Sequence, residues 1–356
     1  MAFLNLYTNC QLVRGANMSL LCDLQLLKFY HIPNDTMEVL QYLQQHSIED
    51  GIMHFGEDNK EAIEGYIHFV VKKDMGFIDD HLLQQLIPVD FHWDSPTPVT
   101  NVILEYNEQL NYRNQFMADL FDLNVQSLEI RSYQPVSIDH LLPLLEMFND
   151  TTLGVIKLML PYDSSISLNA LDAVVRKYPR LKAIWFHGAP VQKVERIFEE
   201  SVTVVFLAKQ VDSCLACGEI NTMYFQSNIE LFSESQHHNT CLNRKLSIDQ
   251  NGYIRNCPSL PQHFGHMNEV VLSAVLQDPA FRKYWNIRKD DINTCRDCEF
   301  RHVCTDCRAY LETPEDIYSK PLKCGYNPYT NEWDEWTNNP LKQAAIDHYG
   351  LRSLVK

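Results

Sequence analysis

The chain has 356 residues, of which 45% are hydrophobic and 11% aromatic, so it is long and apolar enough to form more than one globular domain. Its formal net charge of −16 argues against a nucleic-acid-binding surface, because neutralising phosphates needs clustered cations. The longest apolar run, Val202–Ala208 with Thr203 inside it, is far shorter than the ~20 residues of a membrane-spanning helix. Residues 1–6 show neither the basic nor the apolar region of a secretory signal. We therefore expect a cytoplasmic protein with no membrane or nucleic-acid partner.

Residues 1–90 predict a small α+β module. Alternating positions indicate strands, and a helix with one apolar face is predicted after Pro33. The predicted elements are the strands Leu20–Leu26 and Phe29–Ile32, a helix carrying Met37, Leu40 and Leu43, and a helix over Glu57–Lys73 that leads into a small wing at Asp74–Phe77. Strands followed by helices in this order are typical of a winged-helix-like module. The alternation of Cys22 with Leu20 and Leu24 favours a buried core thiol.

Residues 99–212 alternate between strand-like and helical patterns. The predicted strands are Asn101–Tyr106, Gln126–Arg131, Leu153–Leu160, Leu181–His187 and Val202–Ala208. The predicted helices between them are Tyr112–Leu123, Ile138–Asn149, Leu168–Tyr178 and Val191–Glu200. Such a series predicts a parallel sheet, because parallel neighbours need crossover connections that helices supply. The fold class is therefore α/β, with a partial barrel or an open sheet at its centre.

The cysteines are concentrated in the last third of the chain. There are eleven, and nine of them lie between Cys214 and Cys324. Reduced thiols clustered in this way are metal ligands more often than disulfides in a chain without a secretory signal. The same segment has little hydrophobic periodicity, so we expect bound metal to help hold it together.

The spacing of these cysteines narrows the chemistry. Two pairs, Cys295-x₂-Cys298 and Cys304-x₂-Cys307, each bring two thiolates to one metal across a tight turn. The outlying cysteines are Cys241, Cys257 and Cys324, with Cys214 and Cys217 further upstream. Tetrahedral zinc and iron–sulfur clusters are both held by thiolates, so the spacing alone leaves both open.

The series from Cys241 through Gly252 and Cys257 to Cys324 resembles a SPASM domain. This is the C-terminal extension of radical S-adenosylmethionine peptide maturases, and it carries two auxiliary [4Fe–4S] clusters. The resemblance implies one cluster held by Cys295, Cys298, Cys304 and Cys324, and a second held in part by Cys241, Cys257 and Cys307. One departure is the gap of two residues between Cys304 and Cys307, where the family has three.

The fourth ligand of the second cluster is left open. In the family it lies a few residues before Cys241, where this chain has only His237 and His238. Either cysteine of the Cys214-Leu-Ala-Cys217 segment could supply it by folding back. Otherwise the cluster keeps one open iron.

Two further family motifs are absent from the βα region. The CxxxCxxC motif of radical S-adenosylmethionine enzymes belongs in the loop after the first strand, but Tyr106–Arg113 contains no cysteine. Arg131–Gln134 stands where a glycine-rich segment follows the second strand. The resemblance therefore implies a degenerate partial (β/α) barrel of radical-SAM type, with no S-adenosylmethionine bound and no radical chemistry.

Both ends of the chain are similar to the grasp-with-SPASM maturation proteins. The similarity rests on Val13–Ala16, Ser19–Gln25 and Phe29–Asn34 at the start, and on Cys324–Thr330 at the end. These proteins accompany an ATP-grasp ligase and a short precursor in the biosynthesis of ribosomally made, modified peptides. The resemblance thus implies a peptide maturase component whose N-terminus is a PqqD-like leader-recognition module that takes the leader peptide as an added strand.

The expected organisation has four parts: a leader-recognition module at 1–90, the βα domain at 99–212, the SPASM domain at 213–330 and a tail at 331–356. The expected partners are a precursor peptide and an ATP-grasp ligase. An alternative is a non-catalytic adaptor in which zinc replaces the clusters and the chain presents the precursor to the ligase. The sequence assigns no catalytic residue, and it leaves the precursor, the bond formed and the oligomeric state open.

Overall fold

The computed structural model describes residues 1–83 and 87–355. The chain divides into two compact units, and each draws on separate stretches of sequence. The first unit comprises Met1–Trp93, Ile220–Thr240 and Ile287–Lys356, and the second comprises Asp94–Glu219 and Cys241–Asn286. The cysteine-rich part of the chain is therefore shared between the two units. Residues 84–86 of the predicted leader-recognition module and residue 356 of the predicted tail lie outside the described residues.

The N-terminal part of the first unit combines strands with helices. The strands are β1 (Phe3–Leu6), β2 (Cys10–Arg14), β3 (Met18–Asp23), β4 (Lys28–Pro33) and β5 (Gly76–Asp79), and the helices are α1 (Asn34–Leu43), α2 (Ile48–Phe55) and α3 (Lys60–Lys72). Strands β2, β3 and β4 form an antiparallel sheet, and β1 pairs with β5. The sequence predicted β3, β4, α1 and α3 but gave no signal for β1, β2 or α2. A winged-helix arrangement stays a prediction.

The three-stranded sheet is buried on both faces. Neighbouring residues of a strand point to opposite sides, so Leu21 packs with the helices in one core while Leu20 and Cys22 enter another. That second core includes Phe300 and Val303 from the cysteine-rich segment. Cys22 is fully buried, as expected. The N-terminal sheet and the cysteine-rich segment of the first unit thus share a core.

The βα region of the second unit forms strands and helices in alternation up to β9. The strands are β6 (Asn101–Glu105), β7 (Ser127–Arg131), β8 (Val155–Pro161), β9 (Leu181–His187), β10 (Lys193–Ile197) and β11 (Val202–Leu207), and the helices are α4 (Gln115–Asp122), α5 (Ile138–Glu146) and α6 (Leu168–Lys177). The neighbours β6, β7, β8, β9 and β11 are parallel. The predicted parallel sheet is confirmed, and it is open.

The helix predicted over Val191–Glu200 is wrong. Strand β10 occupies this stretch and pairs antiparallel with β11. Val191, Val194 and Ile197 have helical spacing, but Val191 and Val194 are exposed, so no apolar helix face is buried. Phe198, Glu199 and Glu200 adopt positive φ angles and reverse the chain. The pairing with β11 overrides the helical pattern.

The later elements are short. They are α7 (Ile229–His237), β12 (Lys245–Ile248), β13 (Ile254–Arg255), α8 (Leu272–Gln277), β14 (Tyr326–Asn327), β15 (Glu332–Trp333) and α9 (Gln343–His348). Strand β12 lies parallel to β6, and β13 follows it antiparallel, so the sheet has eight strands in the order β10-β11-β9-β8-β7-β6-β12-β13. Cys241 precedes this hairpin and Cys257 follows it. The sheet therefore holds both ends of the segment that carries these two thiols.

The core of the second unit lies between the sheet and its helices. Leu104, Leu128, Leu158 and Ile184, one from each of four adjacent strands, are fully buried. Parallel strands bring their carboxyl ends to one edge, which is where Glu105 ends β6 and Arg131 ends β7. None of the described helices is both long and apolar enough to cross a bilayer.

Candidate metal centres

Four thiols of the first unit line one cavity. They are Cys295, Cys298, Cys304 and Cys324, the set that the resemblance assigns to one cluster. Cys295 begins a 3₁₀ turn, and the Cys298 N–H donates to its carbonyl at 3.0 Å. The Cys304 N–H donates to the Phe300 carbonyl at 2.9 Å. Tight turns, rather than helices or strands, thus bring these thiols to the cavity.

Aromatic rings form much of the wall of this cavity. Phe300 lies at the centre of the group, with its ring centroid 5.1 Å from that of Phe225, 5.1 Å from that of Tyr326 and 6.4 Å from that of Trp333. Edge-to-face and tilted ring packing of this kind removes a large apolar area from water. A group bound by the four thiols would be shielded from solvent on this side.

A buried ion-pair network borders the same cavity. The Lys289 ammonium lies 3.6 Å from Cys304 Sγ and 3.3 Å from Asp306 Oδ1, although its side chain is only 5% exposed. Asp306 is held in place by Arg308 at 2.7 Å and by the Asn239 amide at 2.6 Å. Because a buried cation needs an anionic neighbour, this network would suit an anionic group at the thiols.

Burial acts strongly on these thiols. It raises the pKa of Cys295 to about 11 and the pKa of Cys304 to about 12, and it raises the pKa of Cys298 well above the ordinary value. Each of these three thiols therefore keeps its proton at neutral pH unless a metal displaces it, because metal coordination deprotonates a thiol outright. The four thiols around one cavity, with a buried lysine beside them, fit an iron–sulfur cluster, whose thiolate ligands carry negative charge.

Three thiols of the second unit surround one lysine. The Lys245 ammonium donates to Cys241 Sγ at 3.3 Å and interacts electrostatically with Cys241, Cys257 and Cys217. These thiolate-forming groups come from the chain before β12, the chain after β13 and the segment that follows β11. The second unit thus gathers cysteines that are far apart in sequence.

Further charges reach this group from the sheet. Arg131 forms a hydrogen bond with the Cys217 thiol, and its Nε lies 2.6 Å from Glu129 Oε1. Burial by itself would raise the pKa of Cys217, but Arg131 and Lys245 hold it below the ordinary value. Burial raises the pKa of Cys257 instead, and the neighbouring Cys217 adds to that shift. Cations therefore favour an anionic sulfur at Cys217.

Cys214 has different neighbours although it is only three residues away. Burial and the Glu105 carboxylate both raise the pKa of its thiol. Glu105 ends β6 and accepts a hydrogen bond from the Tyr133 hydroxyl at 2.6 Å. Tyr133 lies in the segment that replaces the expected glycine-rich sequence. Glu105 is thus the strongest charged neighbour of Cys214, whereas Arg131 and Lys245 are the strongest charged neighbours of Cys217.

The remaining residues named from the sequence lie in the first unit. Cys307 is buried between Asp306 and Arg308 of the ion-pair network. His237 Nε2 donates a hydrogen bond to the Phe91 carbonyl at 3.1 Å, and the His238 ring lies 5.0 Å from that of Trp93. In the described part of the chain, no three His, Cys, Asp or Glu side chains are close enough to hold a single metal ion.

Sequence reasoning missed the charged neighbours of the thiols. Lys289, Lys245 and Arg131 stand outside every cysteine motif, and a single basic residue in a polar segment gives no signal. For Arg131 one signal was present: it ends a predicted strand of a parallel sheet, where polar residues meet at one edge. The lysines become evident only from their burial.

Comparison with known proteins identifies the cysteine-rich segment. Residues 240–299 match the SPASM family, described as an iron–sulfur cluster-binding domain. This is an iron–sulfur signature. The SPASM match includes Cys241, Cys257, Cys295 and Cys298 and ends before Cys304, Cys307 and Cys324.

A solved structure and a search of curated proteins complete the comparison. The crystal structure of Streptococcus suis SuiB bound to S-adenosylmethionine is similar at 12% identity, with a TM-score of 0.30, over 90% of this chain and 99% of that chain. A similarity of this size carries no argument about activity. Among curated proteins no match is found.

Proposed function

We propose that this protein takes part in the maturation of a ribosomally synthesised peptide and carries two [4Fe–4S] clusters. The observation that carries the proposal is the SPASM match at residues 240–299, together with the cavity that four cysteines line in the first unit. The first cluster is held by Cys295, Cys298, Cys304 and Cys324. The second is held in part by Cys241 and Cys257 of the second unit.

Bound clusters would supply one-electron transfer at low potential. The chain's own residues hold and tune that group. The rings around Phe300 exclude water from one side of the first site, and Lys289 opposes the negative charge that four thiolates bring. Low exposure and a nearby cation act in opposite directions on the reduction potential, so the protein sets it through both.

The leader peptide would bind at the outer edge of β4. Strand β4 pairs with β3, and in the described residues it is the last strand of its sheet. An edge strand offers backbone N–H and C=O groups to an extended peptide. Tyr30 of β4 packs edge-to-face on Phe69 of α3, with ring centroids 5.6 Å apart. These rings and the Lys73 ammonium, 5.1 Å from the Tyr30 ring, would receive side chains of the leader.

The same strand contacts the wall of the first thiol cavity. Phe29 and His31 pack on the Phe300 ring with centroid distances of 6.1 and 4.7 Å. His31 Nε2 also lies 3.0 Å from a carboxylate oxygen of Glu299, the buried residue that follows Cys298. Occupancy of the β4 edge would therefore be transmitted to the cluster by direct packing.

The similarity of both chain ends to grasp-with-SPASM proteins supports an ATP-grasp ligase as the partner. The missing CxxxCxxC motif supports chemistry without radical S-adenosylmethionine cleavage. With reductant supplied, we expect 5′-deoxyadenosine to remain at the level of a control without protein. Production above that level would overturn this part of the proposal.

Leader binding is tested with the full chain, because the sheet that carries β4 shares a core with the cysteine-rich segment. A fluorescently labelled leader segment of a ribosomally synthesised precursor peptide is titrated, and its fluorescence anisotropy is followed. We expect saturable binding that Tyr30→Pro abolishes, since proline disrupts an edge strand's backbone bonding, while the metal content stays unchanged. The matched control is Val194→Pro on β10, another edge strand. Equal binding by both variants would contradict the proposed site.

The four-thiol set also favours a second function, because structural zinc binds to four thiolates as well. In that case the chain is a non-catalytic adaptor that presents the precursor to the ligase. Metal analysis of protein purified without air distinguishes the two functions, since zinc sites contain no inorganic sulfide.

A further inference from the structure

The thiols of the second unit converge on one point. Lys245 is largely buried, and its ammonium interacts with Cys241, Cys257 and Cys217. Cys217 and Cys257 also interact directly with each other. Three cysteines thus interact with the same lysine, although more than twenty residues of sequence separate Cys217 from Cys241.

Local folding explains why Cys217 reaches this point. The chain leaves β11 and forms a 3₁₀ turn over Cys214–Ala216, whose start is capped by the Ser213 hydroxyl. The Cys217 N–H donates to the Cys214 carbonyl at 3.0 Å, and the Ser259 hydroxyl donates to the same carbonyl at 3.1 Å. Because Ser259 lies two residues after Cys257, this hydrogen bond ties the turn to the loop that carries the Cys257 thiol.

The turn places its two cysteines near different groups. Cys217 receives a hydrogen bond from Arg131 and interacts with Lys245. Cys214 lies near the Glu105 carboxylate and the Tyr133 side chain. Cys257, which lies on the loop tied to this turn, interacts with Cys217. These surroundings distinguish two residues that the Cys-x-x-Cys spacing makes equivalent.

We propose that Cys217, and not Cys214, joins Cys241 and Cys257 as a ligand of the second cluster. The inference rests on the proposed function and names the ligand that the sequence left open. The segment after β11 thus takes the place of the cysteine that the family has just before Cys241. Lys245 and Arg131 oppose the negative charge of this ligand set.

The experiment uses the full chain and three variants, all prepared without air. Cys217→Ala removes the proposed ligand, Cys214→Ala is the matched control three residues away, and Cys257→Ala removes a ligand of the same cluster. Iron and sulfide are measured per chain, and EPR spectra are recorded after reduction and after mild oxidation. Iron at the first site persists in every variant and serves as an internal reference.

We expect about eight irons in the wild type and in Cys214→Ala, by the four-iron composition of each cluster. Cys257→Ala should contain about four irons fewer. In Cys217→Ala the second cluster has one iron without a protein ligand, so mild oxidation should release that iron and produce the EPR signal of a three-iron cluster. A fourth variant, Cys217→Gly, is produced with a small thiol in the growth medium. It should show less of this signal, because the added thiol can bind the iron that lacks a protein ligand.

Two results would overturn the inference. If Cys217→Ala behaves as the wild type does in iron content and after oxidation, Cys217 is not a ligand. If Cys214→Ala alone produces the three-iron signal, the assignment of the two cysteines is reversed. A wild type without iron and sulfide would instead overturn the proposed function, so the two failures are distinguishable.

Discussion

The thiol cavity of the first unit is built from turns and aromatic rings, whereas the thiols of the second unit are attached to a sheet. Cys295 begins one 3₁₀ turn, Cys298 lies between this turn and the next, and Cys304 follows the second turn. Cys241 and Cys257 flank the β12–β13 hairpin of an eight-stranded sheet that has its own apolar core. Metal should therefore have two different structural roles. It should organise the fold around the first site, whereas the sheet should keep the second site folded without metal.

Metal removal should give the largest difference between the two regions, because only the first should lose its structure. Chelation under reducing, anaerobic conditions should expose the backbone of 287–335, because ligation and folding are coupled where apolar packing is sparse. The amides of β6–β9 should stay protected from hydrogen exchange, because buried apolar residues hold this sheet. Hydrogen exchange followed by mass spectrometry measures both regions in one sample. Equal loss of protection in both would contradict the comparison.

Single thiol substitutions sharpen the same contrast. Cys298→Ala should remove about four irons and lower the unfolding temperature of the first unit. Cys257→Ala should remove as many but leave the sheet's transition nearly unchanged. The matched control is Cys22→Ala, which deletes a fully buried thiol in the first unit and should retain all iron. Iron analysis with calorimetry gives both quantities, and loss of iron in Cys22→Ala would show that the assay reports packing rather than ligation.

Lys289 and Lys245 should allow the reduction potentials of the two clusters to be changed separately. Lys289→Met should lower the reduction potential of the first cluster, and Lys245→Met that of the second, each by on the order of 100 mV for a charge about 6 Å away at an effective dielectric constant of ~20. A cation stabilises the reduced, more negative cluster, so its removal makes reduction harder. Each variant is the control for the other in EPR-monitored redox titration. A shift of both potentials by one variant would contradict separate sites.

Acid should destabilise the second unit through Glu129. Burial alone would raise the pKa of this carboxyl, but Arg131 and Lys157 hold it at about 2, below its ordinary value of 4.5. As the pH falls, the unfolded chain therefore protonates Glu129 at a higher pH than the folded chain does. The stability due to Glu129 is present above pH 4.5 and is lost as the pH falls towards 2.

Glu129→Gln should reduce this pH dependence, with an effect of about 1–3 kcal/mol on unfolding. The comparison is made by urea unfolding of metal-free protein, with the exposed Glu195→Gln, whose partner is Lys193, as the matched control. The same acid sensitivity in both variants would rule out Glu129 as its source.

The parts predicted from sequence are those set by local pattern. Cys295 and Cys298 are close in sequence, so their spacing predicts grouped thiols, and both line one cavity. The strands β6–β9 are buried runs of regular length, and their pairing follows from the helices between them. Strand β8 begins two residues later than predicted and extends through Pro161.

The parts missed depend on contacts between distant residues. Strand β10 forms because β11 pairs with it, against the helical spacing of Val191 and Val194. Lys245 is identified only by the thiols around it, since no motif includes it. The preference for Cys217 over Cys214 arises from Arg131 and Glu105, which end neighbouring strands more than eighty residues upstream. No pattern within the Cys-rich segment records those charges.

Elemental analysis is the most direct test of whether thiols of this chain hold iron–sulfur clusters. Iron, zinc and acid-labile sulfide are measured on the full chain after purification without air. We expect about eight irons and about eight sulfides per chain, with a brown colour from both clusters. Stoichiometric zinc with little sulfide would contradict it and would favour the adaptor.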